Sequence, residues 1–322
     1  MNKKAIYKII TEHLDSLNIP NGETISLGKD FSLPKEASDG MKFVDGAWDG
    51  ISIYHMGSYE ITGEDIEEIG NAVTLATSGD YGKADKAFEE VCNRIKTVNF
   101  IDELQGYILE HSKELDASTL FRYALHLILE SSDPESIKAG LMILELFDHE
   151  EDIKKLVRTI GLSDEFTLYA VFLMRAWENG NTEIMNLAKG VNGWEKIHAV
   201  HYIEPETEDI KHWLLTEAVS NYVMPSYSGL DCYMKAGVEA LLDRQELSDE
   251  EIKGILAIVN AIIDEGPVPG ISTIDNPAAM LDKVLAHASK HLPLEPGDSE
   301  AVNNISNWLE ENVNASFRKD IF

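Results

Sequence analysis

Apolar residues recur along most of this chain at three- and four-residue spacing, which puts them on one face of an α-helix. The spacing predicts an amphipathic helix over residues 1–17, with Ile6, Ile9, Ile10, His13 and Leu14 along one side. From Asn18 to Met56 that period is lost. Here MKFV and ISIYHM flank DGAWDG, whose two Asp-Gly pairs favour turns because glycine tolerates positive φ. The pattern predicts a β-hairpin with strands at residues 41–44 and 51–56. A lone hairpin is marginal in water, so it needs helices or another sheet edge to lie on.

Helical spacing returns at Thr62 and runs almost to the end of the chain. Helix starts are marked by Thr62 or Gly63, by Asp116 or Ser118, by Asp133 with Pro134, and by Ser163. Connections of a few residues predict neighbours that pack antiparallel. Residues 166–177, FTLYAVFLMRAW, are apolar nearly all round, so that helix is expected to be buried on all sides. Residues 193–224 read as a further pair joined near Glu204 and Pro205. Trp194, Ile197 and His201 share one face of its first helix, and Ile210, Trp213, Leu214, Glu217 and Asn221 share a face of its second. The pairs 134–160, 166–189 and 194–223 succeed one another at roughly thirty residues, a spacing used by helical arrays. Two regions follow from this pattern: an N-terminal helix with a β-hairpin cap over 1–82, and a helical-repeat domain over 83–322.

Consecutive helical pairs such as GWEKIHAVHYIEPETEDIKHWLL resemble the degenerate units of HEAT-like repeat proteins over residues 117–264. The resemblance implies a mainly α protein, stacked as an α-solenoid whose concave surface binds another macromolecule. Some HEAT-like proteins are DNA glycosylases with a basic groove. The acidity of this chain sets it apart from them, and the predicted hairpin has no counterpart in the repeat.

The 57 acidic and 27 basic residues leave a formal charge of −30. Nucleic-acid affinity comes largely from Lys and Arg displacing counterions, so nucleic acids and anionic membranes are disfavoured as partners. The charge either keeps the protein soluble or steers it to a basic protein or a cation. The two cysteines, Cys92 and Cys232, are too few for a disulfide scaffold and are expected to be reduced core residues. Lys8, Glu12 and His13 interrupt the first apolar run before signal-peptide length, and a cytoplasmic protein is expected.

Candidate chemistry centres on residues 194–221. His198, His201 and Glu204 stand three apart, which brings imidazole and carboxylate within one helical turn and permits metal ligation, although the zinc-protease spacing is absent. A catalytic reading makes His201 a general base oriented by Glu217, with Asn221 beside it. The plain reading is histidine packed between helices and hydrogen-bonded to Glu217 or Asn221. A partner or ligand pocket here takes in Trp194, His198, His201, Trp213, Glu217, Asn221 and Arg175. Arg175, the only charged side chain in its apolar run, needs an internal acidic partner or an acidic ligand if buried. His287 and His291 share a helical face but suit a helix C-terminus. Trp48 and Tyr54 offer either a partner patch or packing on the first helix. The expectation is a non-enzymatic scaffold without cofactor that binds a basic protein. The alternative is a hydrolase-like enzyme with its pocket around His201, Glu217 and Asn221.

Overall fold

The computed structural model describes residues 4–20, 22–34, 43–57 and 59–312, and every regular element among them is a helix. In chain order these are α1 (Ile6–Ser16), α2 (Ala47–Ile51), α3 (Gly63–Thr77), α4 (Tyr81–Arg94), α5 (Ile101–Glu110), α6 (Ala117–Glu130), α7 (Pro134–Leu144), α8 (Glu151–Gly161), α9 (Thr167–Arg175), α10 (Gly180–Lys189), α11 (Trp194–Tyr202), α12 (Glu208–Thr216), α13 (Ser226–Lys235), α14 (Val238–Leu242), α15 (Asp249–Ile263), α16 (Pro277–Ala288) and α17 (Pro296–Asn312). A π-helical turn, Ser52–Met56, continues α2, and short 3₁₀ turns occur at Thr97–Asn99 and Ile271–Thr273.

The structure contradicts the predicted hairpin. Its second strand, 51–56, is helical, and of its first strand Met41 and Lys42 lie outside the described residues. The first Asp-Gly pair does turn the chain: Gly46 has φ of 73°, and the Asp45 carboxylate accepts a 2.8 Å bond from the Leu33 amide. The second pair does not. Asp49 and Gly50 lie within α2, and a buried ion pair made by Asp49 to α7 overrides the turn preference.

The chain divides into two compact units, residues 1–180 with 189–191, and residues 181–188 with 192–322. The segment 1–82 belongs to the first. In that unit α3 packs on α4, α5 and α6, α6 packs on α7, and α7 also meets α4, α5 and α9. Every residue of α7 from Glu135 to Leu144 is buried, including Glu135 and Lys138. In α9, Leu168, Tyr169, Ala170, Val171, Leu173 and Met174 are buried, as its nearly unbroken apolar sequence requires. The polar end of α9 is not: Arg175 is exposed.

In the second unit α15 is the centre, in contact with α12, α13, α16 and α17. Ile252, Ile255, Leu256, Ile258, Val259 and Ile262 give it a buried stripe, each contributing about 1.5–3 kcal/mol by leaving water. Ser248 starts this helix with a capping box, bonding the Glu251 amide while the Glu251 carboxylate bonds the Ser248 amide. No helix among the described residues is long and apolar enough to cross a membrane.

Candidate functional site

The 194–223 stretch forms the two expected helices, α11 and α12, but its polar residues serve separate partners. His201 is exposed at the end of α11, with Nδ1 3.0 Å from the Asp231 carboxylate on α13. Helix α12 stops at Thr216, so Glu217 and Asn221 fall beyond it and off its face. The exposed Glu217 offers its backbone carbonyl to Lys196 Nζ at 2.9 Å, a cation closing a helix C-terminus. Asn221 braces the turn into α13: its Nδ2 donates to the Met224 carbonyl at 3.1 Å, and its Oδ1 accepts from the amides of Val223 and Met224 at 2.9 and 2.8 Å.

His198 is buried, and burial first, then the neighbouring His201, pushes its pKa down to about 3, so it is neutral at physiological pH. Trp194 packs edge-on against Tyr227 at 4.7 Å, with the His198 ring 6.5 Å away. Trp213 is buried. Glu204 is exposed, and its amide bonds the Asn181 side chain. Arg175 belongs to the first unit, whereas the other residues of the predicted pocket belong to the second. His287 bonds the Leu242 carbonyl and His291 bonds Asp249. Both cysteines are buried free thiols, and burial raises the pKa of each well above the ordinary range. Among the described residues no group of three or more His, Cys, Asp or Glu side chains is placed to hold a metal ion.

Two other places concentrate polar chemistry, and sequence reasoning found neither. The first is an ionic knot in the core of the first unit. Lys138, 1% exposed, lies 2.9 Å from Asp49, 3.1 Å from Glu135 and 2.6 Å from Glu165, with Nζ 5.5 Å from the centre of the Tyr169 ring. Burial alone would lower the Lys138 pKa, but Asp49 and Glu135 outweigh it and hold the pKa well above the usual lysine value. The carboxylates differ in their support. Glu135 is equally buried, yet Lys138, Lys96 and the Thr97 amide keep its pKa low. Asp49 accepts bonds from Lys138 and the Tyr169 hydroxyl on Oδ2, while its buried Oδ1 has no partner among the described residues. Burial, opposed by Lys138 and reinforced by Glu135 and Glu165, raises its pKa to about 6. This knot ties α2, α7 and the start of α9 together. Lys138, Asp49 and Glu135 are buried, while Glu165 is 17% exposed at the edge, and the contacts are internal.

The second place is open. A groove of about 660 Å³ in the second unit lies between the turn entering α13, the end of α15 and α17. Asn304, Asn307, Trp308 and Glu311 line it from α17 at the i, i+3, i+4, i+7 spacing of a single helical face. Asn260 and Asp264 face them from the end of α15, and Met224 and Ser226 close the other side. Asn304 Nδ2 donates to Asn260 Oδ1 at 2.9 Å. The Ser226 hydroxyl is buried and has no hydrogen-bond partner among the described residues. Asp264 and Glu311 are exposed carboxylates, and neither enters an ion pair among the described residues. Among the described residues no Lys, Arg or His lines the groove.

A polar and aromatic stripe on one face of α17 was the available sequence signal, but Asn260 and Ser226 join it only through the packing of α13, α15 and α17. Compared with known proteins, the chain matches no protein family, no curated protein and no solved structure.

Proposed function

We propose that this chain is a non-enzymatic helical protein, built of HEAT-like pairs, that binds a basic protein through the groove of its second unit. The groove carries the reading: it is open, holds a tryptophan and, among the described residues, has two exposed carboxylates outside any ion pair and no cation in its lining. Partner surfaces use aromatic anchors within a polar rim, and a net charge of −30 favours encounter with a basic partner. The packing of neighbouring helices in each unit supports the array. The hydrolase-like alternative needs His201, Glu217 and Asn221 to act together, but the His201 ring bonds Asp231, the Asn221 side chain braces the turn into α13, and Glu217 lies beyond the end of α12.

The test compares the wild-type chain with the double charge reversal Asp264→Lys, Glu311→Lys as baits in cell lysate at low and moderate salt. Proteins of high isoelectric point held by the wild type at low salt and lost from the double variant are the expected result. Retention that is identical for both baits, or no retained protein at all, sinks the proposal.

A further inference from the structure

Resting on that reading, the lining of the groove also specifies the form of the partner segment. We infer that the groove of the second unit takes an extended, lysine- or arginine-bearing polypeptide segment, whose backbone is read by Asn260 and Asn304 and whose cation is held by Asp264 and Glu311.

The asparagine pair Asn260 and Asn304 sets the recognition of a backbone. A carboxamide carries one acceptor oxygen and a two-proton donor. When Asn304 Nδ2 donates to Asn260 Oδ1, the donor of Asn260 and the acceptor of Asn304 remain without partners among the described residues. A donor beside an acceptor is the complement of one peptide unit, which offers a carbonyl and an N–H. Helices and paired strands spend these groups internally, so only an extended or edge segment has them to give. The second observation is Ser226, whose hydroxyl is buried without a partner at the opposite wall. A buried polar group left unbonded is costly, and a bound segment with a backbone group at that wall relieves it.

Side-chain chemistry completes the match. Asp264 and Glu311 are exposed, lie at the ends of α15 and α17, and meet no cation among the described residues. Trp308, half-buried on the α17 face that lines the groove, can cover the hydrocarbon stem of a lysine or the flat guanidinium of an arginine. An acidic segment would meet two carboxylates with no counter-charge among the described lining residues, which gives the groove its selectivity.

The test uses the full chain and three labelled synthetic peptides, followed by fluorescence anisotropy. One alternates Lys and Ser. The second has the same sequence with every second backbone nitrogen methylated, so charge is kept and N–H donors are lost. The third alternates Glu and Ser. The first peptide is expected to bind, to weaken at least tenfold on methylation, and to weaken similarly when Asn304→Leu replaces the wild-type chain. The Glu peptide is expected not to bind. Equal affinity for the first two peptides overturns the inference, as does failure of the wild type to bind the first peptide at low salt. Asn304 is partly exposed, and if its replacement lowers the helical content, the methylated peptide on the wild-type chain still decides. The two readings fail separately. Folded partners lost from the charge-reversed bait while the peptides ignore methylation would leave the groove a protein site and remove only its backbone recognition.

Discussion

Asp49 is the residue at which the fold is under most electrostatic tension. Around it lie Lys138 and Glu135 from α7, Glu165 ahead of α9, and Tyr169 on α9, so three carboxylates share one fully buried ammonium. Its pKa of about 6 in the folded chain lies above the ordinary 3.8, so the folded state holds this proton more tightly than the unfolded state does. The sign follows from linkage. Ionising Asp49 costs stability progressively as pH rises from about 4 through about 6, and stability is regained as pH falls through that window. The full difference corresponds to roughly 3 kcal/mol. Asp49→Asn removes the proton while keeping an acceptor for the Tyr169 hydroxyl, and Lys138 retains Glu135 and Glu165. Urea unfolding at pH 5 and pH 7 is expected to show the variant gaining on the wild type at the higher pH; a constant difference between the two pH values rejects the account. Replacing Lys138 by Met acts in the opposite direction. Asp49 and Glu165 would lose their cation and Glu135 would keep only Lys96, at a cost of about 3–5 kcal/mol by the usual penalty for breaking a buried pair.

At the scale of the element, the same substitution has opposite consequences on two helices. Glycine costs a helix about 1 kcal/mol relative to alanine, so propensity alone favours Gly→Ala anywhere inside one. On α5, a Cβ at Gly106 meets nothing, and Gly106→Ala is expected to stabilise by about 0.5–1 kcal/mol. On α15, a Cβ at Gly254 would press on the Leu215 backbone carbonyl of α12, which cannot rotate away. Gly254→Ala is therefore expected to destabilise by about 1–3 kcal/mol, the range for an overpacked contact. Thermal melts of the two variants check both signs, and stabilisation by Gly254→Ala would show that α12 and α15 are not in close approach. The contrast explains what the sequence made legible. Helix starts depend on a cap and its next few residues, so Thr62, Asp116 and Asp133 declare themselves, and each side chain accepts a bond from the amide three residues on. Helix ends are subtler: Glu217 and Asn221 keep the helical period, yet α12 stops before them. The sequence predicts a hairpin over 41–56 because its Asp-Gly pairs carry a local turn preference, while the helix at 47–51 is held by the Asp49 pair with Lys138, far along the chain. The same reason hid the groove, whose walls come from three helices.

For the molecule as a whole, the decisive quantity is where its few cations go. Lys138 is spent in the core, Lys196 and Lys235 close the C-termini of α12 and α11, and Arg94 bridges Asp65 and Glu68. Cations used in this way do not disperse the excess of acids, which repel one another across the surfaces and weaken the folded state at low ionic strength. Salt screens such repulsion over about 10 Å at 0.1 M. Raising sodium chloride from about 0.02 M to about 0.2 M is therefore expected to raise the melting temperature by several degrees, about 2–4 °C for each kcal/mol recovered in a unit of this size. The same screening weakens attraction between the groove and a basic segment, so binding and stability are expected to move in opposite directions over one salt titration. Calorimetry of the free chain, set beside anisotropy with the Lys and Ser peptide, measures both. A melting temperature that is flat or falls with salt would mean that the acids are already neutralised locally, and the case for a charge-steered partner would lose its physical basis.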